Sequence, residues 1–298
     1  MCRQGGNLSV YKHEYRAYEG RVTPLWARIA VLVRYGLTEA WSSRITVGLL
    51  TLSMLPVVVF LIIIYLANNP IARALIMRGN SQILAINASF FLRVQVSQCW
   101  LALVLTAWIA PRLVSFDLSD NALPILLSHP ISRFGYVGGK VIALFTFLSL
   151  VTWIPCLLLF AYQGYTSPQP WMGANLQIAG GLLVGSIVWI ALLSLLGLAL
   201  SSWVKWRMVA TGIIFAAVFV PAGVGGVASA ILRTRWGFLL NLPVMMTQLW
   251  QRLLGASEFN RIGLDLPSGA IVAMLVLIGV VCAAMLNARI RAREVVRG

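Results

Sequence analysis

Residues 45–67 read ITVGLLTLSMLPVVVFLIIIYLA, and the whole stretch contains no charged side chain. An α-helix rises about 1.5 Å per residue, so a stretch of this length crosses the roughly 30 Å of hydrocarbon in a bilayer. A helix also satisfies its own backbone N–H and C=O groups, which find no water in that hydrocarbon. The stretch therefore predicts a transmembrane helix.

Five more stretches have a similar length and apolar character, and none has a charged residue at its middle. They are residues 90–110, 137–162, 176–200, 209–232 and 269–286. The composition agrees, because 60% of the residues are hydrophobic, 10% are charged and the mean hydropathy is +0.87. About a quarter of the residues in a soluble domain are charged. We therefore predict an all-α integral membrane protein with about six transmembrane helices in residues 45–286, and we exclude a soluble globular fold.

The formal net charge of +15 is compatible with nucleic-acid binding, but the positions of the charges favour a bilayer. All charged residues lie between the apolar stretches or near their margins, and sixteen of the 23 basic residues fall on the side that holds both ends of the chain. Cytoplasmic loops are enriched in Lys and Arg. We therefore expect a lipid bilayer as partner and no nucleic acid. Both termini are predicted to be cytoplasmic, with residues 287–298 forming a basic tail.

Residues 1–44 form a predicted cytoplasmic segment that contains one helix. Thr23 is a suitable N-cap and Pro24 suits the first helical position. Apolar residues then recur at three- and four-residue spacing as far as Trp41, and Arg28 and Tyr35 fall on the opposite face. This pattern predicts an amphipathic helix at residues 23–41 that lies along the membrane surface. The alternative is an irregular cytoplasmic tail.

The predicted non-cytoplasmic loop at residues 233–268 is unusually apolar. Its segment 236–256 is too polar for a typical transmembrane span, because Thr247, Gln248, Gln251 and Arg252 interrupt it. The segment is also too apolar for a solvated loop. A short re-entrant or interfacial pair of helices fits this composition. A seventh crossing is the alternative, and it would move the basic tail to the other side of the membrane.

No catalytic or metal-binding motif is visible. The two histidines, His13 and His129, lie outside the predicted spans, and the four cysteines form no CxxC pair. The sequence has no HExxH motif and no GxxxxGK[ST] phosphate loop. Ionisable residues are missing from the middles of the spans, which argues against a proton- or sodium-coupled carrier. We therefore expect no enzyme activity, cofactor or metal in this chain, and any driving energy would come from another subunit.

The segment between the second and third predicted helices, loop 110–140, reads APRLVSFDLSDNALPILLSHPISRFGYVGGK. Leu118 and Leu126 can lie on one face of a short helix, with Ser119 or Asp120 as its N-cap. Pro130 then interrupts the chain, and a second helix is expected to start around Arg133. The apolar face of the short helix needs a partner. That partner is the chain's own bundle, the membrane surface or a soluble subunit.

The same loop resembles the permeases of type-2 ABC exporters. The match lies in residues 122–123, 126–128, 130–133, Tyr136 and 139–140, and the order of interfacial helix, six spans and apolar hairpin before the last span is also similar. The nearest subgroup serves the copper-site maturation of nitrous-oxide reductase and gliding motility. This chain differs at residues 119–121, where family members often carry basic residues and a glycine. The resemblance implies the type-2 ABC exporter permease architecture.

The resemblance also implies a permease in the plasma (inner) membrane of a bacterium, without its own nucleotide-binding domain. ABC ATPase subunits would hold ATP and Mg²⁺, and a second permease subunit, identical or different, would complete the transporter. The substrate would be apolar or amphipathic. The ATPase contact, consisting of a coupling helix and its elbow, would include Asp117, Leu118, Asp120, Leu123, Leu126, Leu127, His129, Pro130 and Arg133. The alternative function is a non-transporting membrane subunit that anchors or assembles a larger complex.

Overall fold

The computed structural model describes residues 24–72, 85–119, 133–167, 170–204, 206–256 and 266–294. Every regular element in these ranges is a helix. A short 3₁₀ helix, Trp236–Leu240, lies between the eighth and ninth α-helices. The α-helices are α1 (Leu25–Ser42), α2 (Arg44–Asn68), α3 (Ala88–Ser119), α4 (Arg133–Val151), α5 (Trp153–Thr166), α6 (Trp171–Ala174), α7 (Leu176–Trp203), α8 (Arg207–Leu232), α9 (Leu242–Leu254) and α10 (Ser268–Glu294).

Six helical segments are long and apolar enough to cross a membrane. Each predicted span lies inside one of them, so the prediction of a helical membrane protein with six spans is confirmed for the described residues. The segments are Arg44–Asn68, Ala88–Val114, Gly135–Thr166, Leu176–Trp203, Arg207–Leu232 and Ser268–Arg289.

Helices α3 and α7 form the centre of the bundle. In their most apolar stretches 67% of the residues are buried, whereas the figure is 17% for α2 and 22% for α8 and α10. The outer helices expose long aliphatic faces, for example at Val58, Val220 and Val276. Such faces have no hydration cost when lipid chains surround them. The layout is therefore two buried central helices enclosed by helices that face the bilayer.

The third span is divided into α4 and α5 at Thr152, whereas the sequence predicted one helix over residues 137–162. Thr152 has φ −97° and ψ −92°, outside the helical region. Pro155 follows three residues later and has no N–H to donate to the carbonyl of Val151. Gln98 of α3, with its amide oriented to donate, lies 2.9 Å from that carbonyl oxygen. The break is therefore compensated by a buried side chain of the central helix.

Helix α1 begins at Leu25, with Pro24 in the N-cap position rather than at the first helical position. Thr23 lies outside the described residues. Pro24 has an extended ψ of 152°, and its carbonyl accepts the first N–H bond of the helix, from Ala27 at 3.0 Å. Leu32 and Ala40 on the apolar stripe are buried against the bundle. Much of this stripe therefore packs on the chain's own spans.

The segment after α8 folds back along the bundle. Gly237 of the 3₁₀ helix contacts the backbone of Gly225 in α8, where neither residue leaves room for a Cβ. Asn241 caps α9 by accepting the N–H of Val244 at 3.1 Å, and Gly255 ends α9 with φ 70°. The indole N–H of Trp250 donates to the carbonyl of Gly185 in α7 at 3.1 Å. Helix α9 therefore lies against the buried central helix.

Candidate coupling site

Loop 110–140 begins on a helix that does not end at the predicted boundary. The sequence predicted the second span to end at Ala110, but α3 continues through Pro111 to Ser119. Proline removes a backbone donor and leaves the carbonyl of Ala107 without its helical partner. The hydroxyl of Thr211 in α8 donates to that carbonyl at 2.9 Å. The extension of α3 is therefore tied to α8 at its proline.

The predicted contact residues divide into two groups. Asp117 and Leu118 belong to the last turn of α3, and Arg133 is the first residue of α4. Ser119, considered above as the cap of a new helix, is the last residue of α3. The remaining predicted residues lie outside the described residues: Asp120, Leu123, Leu126, Leu127, His129 and Pro130. The two helices that flank the predicted coupling helix are therefore defined.

Helix α1 packs against both helices that flank loop 110–140. A Cβ on Gly36 would lie 3.2 Å from Leu113 of α3 and 3.3 Å from Ala143 of α4. A Cβ on Gly139 of α4 would lie 3.2 Å from Leu32 of α1. The glycines allow close approach of the backbones, as is common between helices in membranes. Helix α1 therefore links the two ends of the loop at its base.

Cationic side chains lie over aromatic rings at the end of the bundle where α3 ends and α4 begins, which we call the loop end. Lys140 lies 5.7 Å from the ring centroid of Tyr136, and Arg289 lies 5.3 Å from that of Trp203. Arg289 also donates to the carbonyl of Ser202 near the end of α7 at 3.2 Å. Basic and aromatic residues together are typical of a membrane–water interface. Arg112 and Arg207 share the third ring, Trp108.

A layer of buried polar side chains crosses the middle of the bundle, and the sequence pattern did not predict it. The amide of Gln95 in α3 donates to the hydroxyl of Ser186 in α7 at 2.9 Å. The indole N–H of Trp189 donates to the carbonyl of Cys99 at 3.0 Å. Uncharged polar residues in an apolar stretch were the available signal, but the sequence does not say which ones face the interior. These bonds hold α3 and α7 in register.

A small pocket lies beside this layer, between α3, α7 and α9. Its volume is about 20 Å³, and its lining is mainly aromatic and aliphatic. A volume of this size holds one water-sized group. The lining residues are Val96, Cys99, Trp100, Trp189, Pro243, Thr247 and Trp250.

The described residues contain no group of three His, Cys, Asp or Glu side chains that could hold a metal ion. Cys99, Cys156 and Cys282 are free and buried. The helices that flank loop 110–140 are held by close packing and by an interhelical hydrogen bond. No known family profile matches the chain. No curated protein matches it either.

Proposed function

We propose that this chain is the membrane-spanning permease subunit of an ATP-driven exporter of the type-2 ABC class. A separate ABC ATPase hydrolyses ATP, and a second permease subunit completes the pathway across the bacterial inner membrane. The substrate is apolar or amphipathic. The proposal rests on the motif in loop 110–140 and on the helices that hold this loop.

The observation that carries the proposal is the length of α3, which continues as one helix from Ala88 to Ser119. The helix has 32 residues, which corresponds to a length of about 48 Å, against roughly 30 Å of hydrocarbon. One end therefore extends beyond the apolar region and leads directly into the matched loop. Because the rest of α3 is central and buried, a force on its tip acts on the core of the bundle. A rigid element of this kind is suited to transmit the movement of a docked ATPase.

The break in the third span is the position at which this movement would change the bundle. Gln98 of α3, with its amide oriented to donate, reaches the carbonyl of Val151, the last residue of α4. Helix α4 begins at Arg133, at the other end of loop 110–140, and α1 packs against both α3 and α4. A displacement of the loop would therefore move the ends of α3 and α4 together. The strain would concentrate at Thr152, where the backbone already departs from the helical conformation.

A site-specific photocrosslinker at Leu126 tests the docking. We expect irradiation of cells to attach an ATPase with Walker motifs, identified by mass spectrometry of the crosslinked band. The matched control is the same crosslinker at Tyr165, which is 90% exposed at the opposite end of the bundle. Crosslinks to an ATPase from neither position, or equally from both, would remove the support for the exporter and favour the anchoring subunit.

A further inference from the structure

Arg112 and Arg207 form a pair of cations that share one aromatic ring. Their guanidinium carbons lie 5.2 Å and 4.5 Å from the ring centroid of Trp108. The two carbons are therefore within about 10 Å of each other, and like charges at this separation repel. We call Arg112 and Arg207 the arginine pair. It joins α3, near the end of the second span, to the start of α8.

The arginine pair is held in place by the backbone around it. Trp108 and Arg112 lie four residues apart on α3 and therefore on the same helical face. Thr211, one turn after Arg207, donates its hydroxyl proton to the carbonyl of Ala107 at 2.9 Å. The N-terminal turn of α8 is thus fixed to α3 beside the indole. The convergence of the two guanidinium groups is a consequence of helix packing.

Three buried donors of this cluster have no acceptor among the described residues. Nε of Arg112, Nε of Arg207 and Nε1 of Trp108 are buried, and none has a hydrogen-bond partner in the described part of the chain. No ion pair neutralises either arginine there. Both arginine side chains are half-buried, so part of each remains accessible from outside. Arg289 differs, because its Nε donates to the carbonyl of Ser202.

The position of Arg207 adds to the excess of positive charge. It is the first residue of α8, and the preceding Trp206 makes no side-chain cap bond. The first N–H groups of a helix carry a partial positive charge, which favours an anion and disfavours a cation. Two guanidinium groups and this helix end therefore meet without an acceptor among the described residues. An anion would relieve both the repulsion and the missing hydrogen bonds.

We propose that the arginine pair binds the phosphate group of an anionic phospholipid at the loop end of the bundle. The planar guanidinium group matches phosphate oxygens in a two-point contact, and charge-assisted bonds of this type are the strong ones. The site lies where two spans end, which is the depth of lipid headgroups. Anionic lipids concentrate on the leaflet that faces basic loops. A headgroup phosphate therefore reaches the arginine pair without leaving the bilayer surface.

Native mass spectrometry of the full-length protein in detergent, titrated with phosphatidylglycerol, measures the binding. We expect R112Q/R207Q to raise the apparent Kd by roughly tenfold or more, because charge-assisted bonds to the lipid are lost. R289Q is the matched control, since it removes one arginine over a tryptophan at the same end, and its Kd should change by less than about twofold. R112K/R207K keeps both charges but lacks the planar guanidinium groups, and its Kd should lie between those of the wild type and R112Q/R207Q.

Two results would overturn the proposal. The first is equal affinity for phosphatidylglycerol in R112Q/R207Q and R289Q, with both variants eluting as folded protein in size-exclusion chromatography. The second is displacement of the lipid from the wild type by an equal concentration of inorganic phosphate, which would identify free phosphate as the ligand. If R112Q/R207Q does not fold, R112K/R207K decides, because unchanged affinity in that variant contradicts recognition by guanidinium groups.

Discussion

Pro111 and Pro155 lie inside spans, and a side chain from another helix bonds to the carbonyl that each of them leaves free. Thr211 donates to the carbonyl of Ala107 at 2.9 Å, and Gln98, with its amide oriented to donate, lies 2.9 Å from the carbonyl oxygen of Val151. In hydrocarbon such a carbonyl has no water as an alternative partner. At these two prolines a single polar side chain therefore replaces the missing backbone donor.

Gln98→Met tests this dependence, because methionine keeps the length of the side chain and removes the donor. We expect a loss of about 1 kcal/mol in the free energy of unfolding, the usual size of an interhelical hydrogen bond in a membrane. Unfolding in mixtures of mild and denaturing detergent measures it. Gln177→Met is the control, since Gln177 is exposed on the first turn of α7. Equal stability of the two variants would show that the bond to Val151 contributes nothing.

The sequence shows where the prolines lie, but it does not show which side chains reach the carbonyls that they leave free. Pro155 and Gln98 are 57 positions apart and belong to different spans. Hydropathy, averaged over a window, does not register one missing N–H group, so the sequence predicted a continuous third span. A buried Gln and a lipid-facing Gln also look alike in sequence. The polar layer at Gln95 and Gln98 became visible only when the rotation of α3 was known.

At the scale of elements, the contact between α7 and α9 depends on a glycine. A Cβ on Gly181 would lie 2.8 Å from the carbonyl oxygen of Leu253 in α9, whereas a Cβ on the adjacent Gly180 would meet no atom within 4 Å. Backbone atoms cannot move aside as a flexible side chain can. The fold-back of residues 236–254 therefore relies on one position of α7.

Gly181→Ala should destabilise the protein by about 1–3 kcal/mol, because the added methyl group overpacks the helix contact. Gly180→Ala should be neutral or stabilise by less than about 1 kcal/mol, since alanine is the better helix former and the space is open. Thermal unfolding of the two purified variants in the same detergent gives the comparison. A Gly180→Ala variant that loses as much stability as Gly181→Ala would contradict the packing of α9 on α7.

The sequence predicted where helices form, but it did not predict which helices pack against each other. Each apolar stretch predicted a span, because twenty apolar residues in sequence have few alternatives to crossing a bilayer. The stripe on α1 predicted a helix, but an apolar face at Leu32 is equally compatible with lipid, with a partner or with the bundle. The end of α3 was misplaced because Arg112 and Pro111 suggested a boundary at Ala110. The tertiary bond from Thr211 lets the helix continue.

At the scale of the whole molecule, the loop end carries Arg112, Arg207 and Arg289 on three different helices. The same side holds sixteen of the 23 basic residues of the sequence. Because loops rich in Lys and Arg stay in the cytoplasm, this side is predicted to face the cytoplasm. Reporter fusions test this directly. We expect a fusion at Gly298 to fluoresce as a cytoplasmic reporter and a phosphatase inserted within residues 167–173 to be active outside. Phosphatase activity at the C-terminal fusion would contradict the six-span orientation.

Leu118→Glu combined with Leu126→Glu tests the central claim, because both residues belong to the predicted apolar contact with the ATPase, and Leu118 lies in the last turn of α3. An unpaired charge in an apolar contact typically costs several kcal/mol. The measurement is the amount of ABC ATPase that purifies with the chain, and its ATP hydrolysis, for the wild type and the double variant. We predict that the wild type carries the ATPase and that the double variant inserts normally but loses it. A double variant that keeps the full amount of ATPase and normal hydrolysis would contradict the coupling role of loop 110–140.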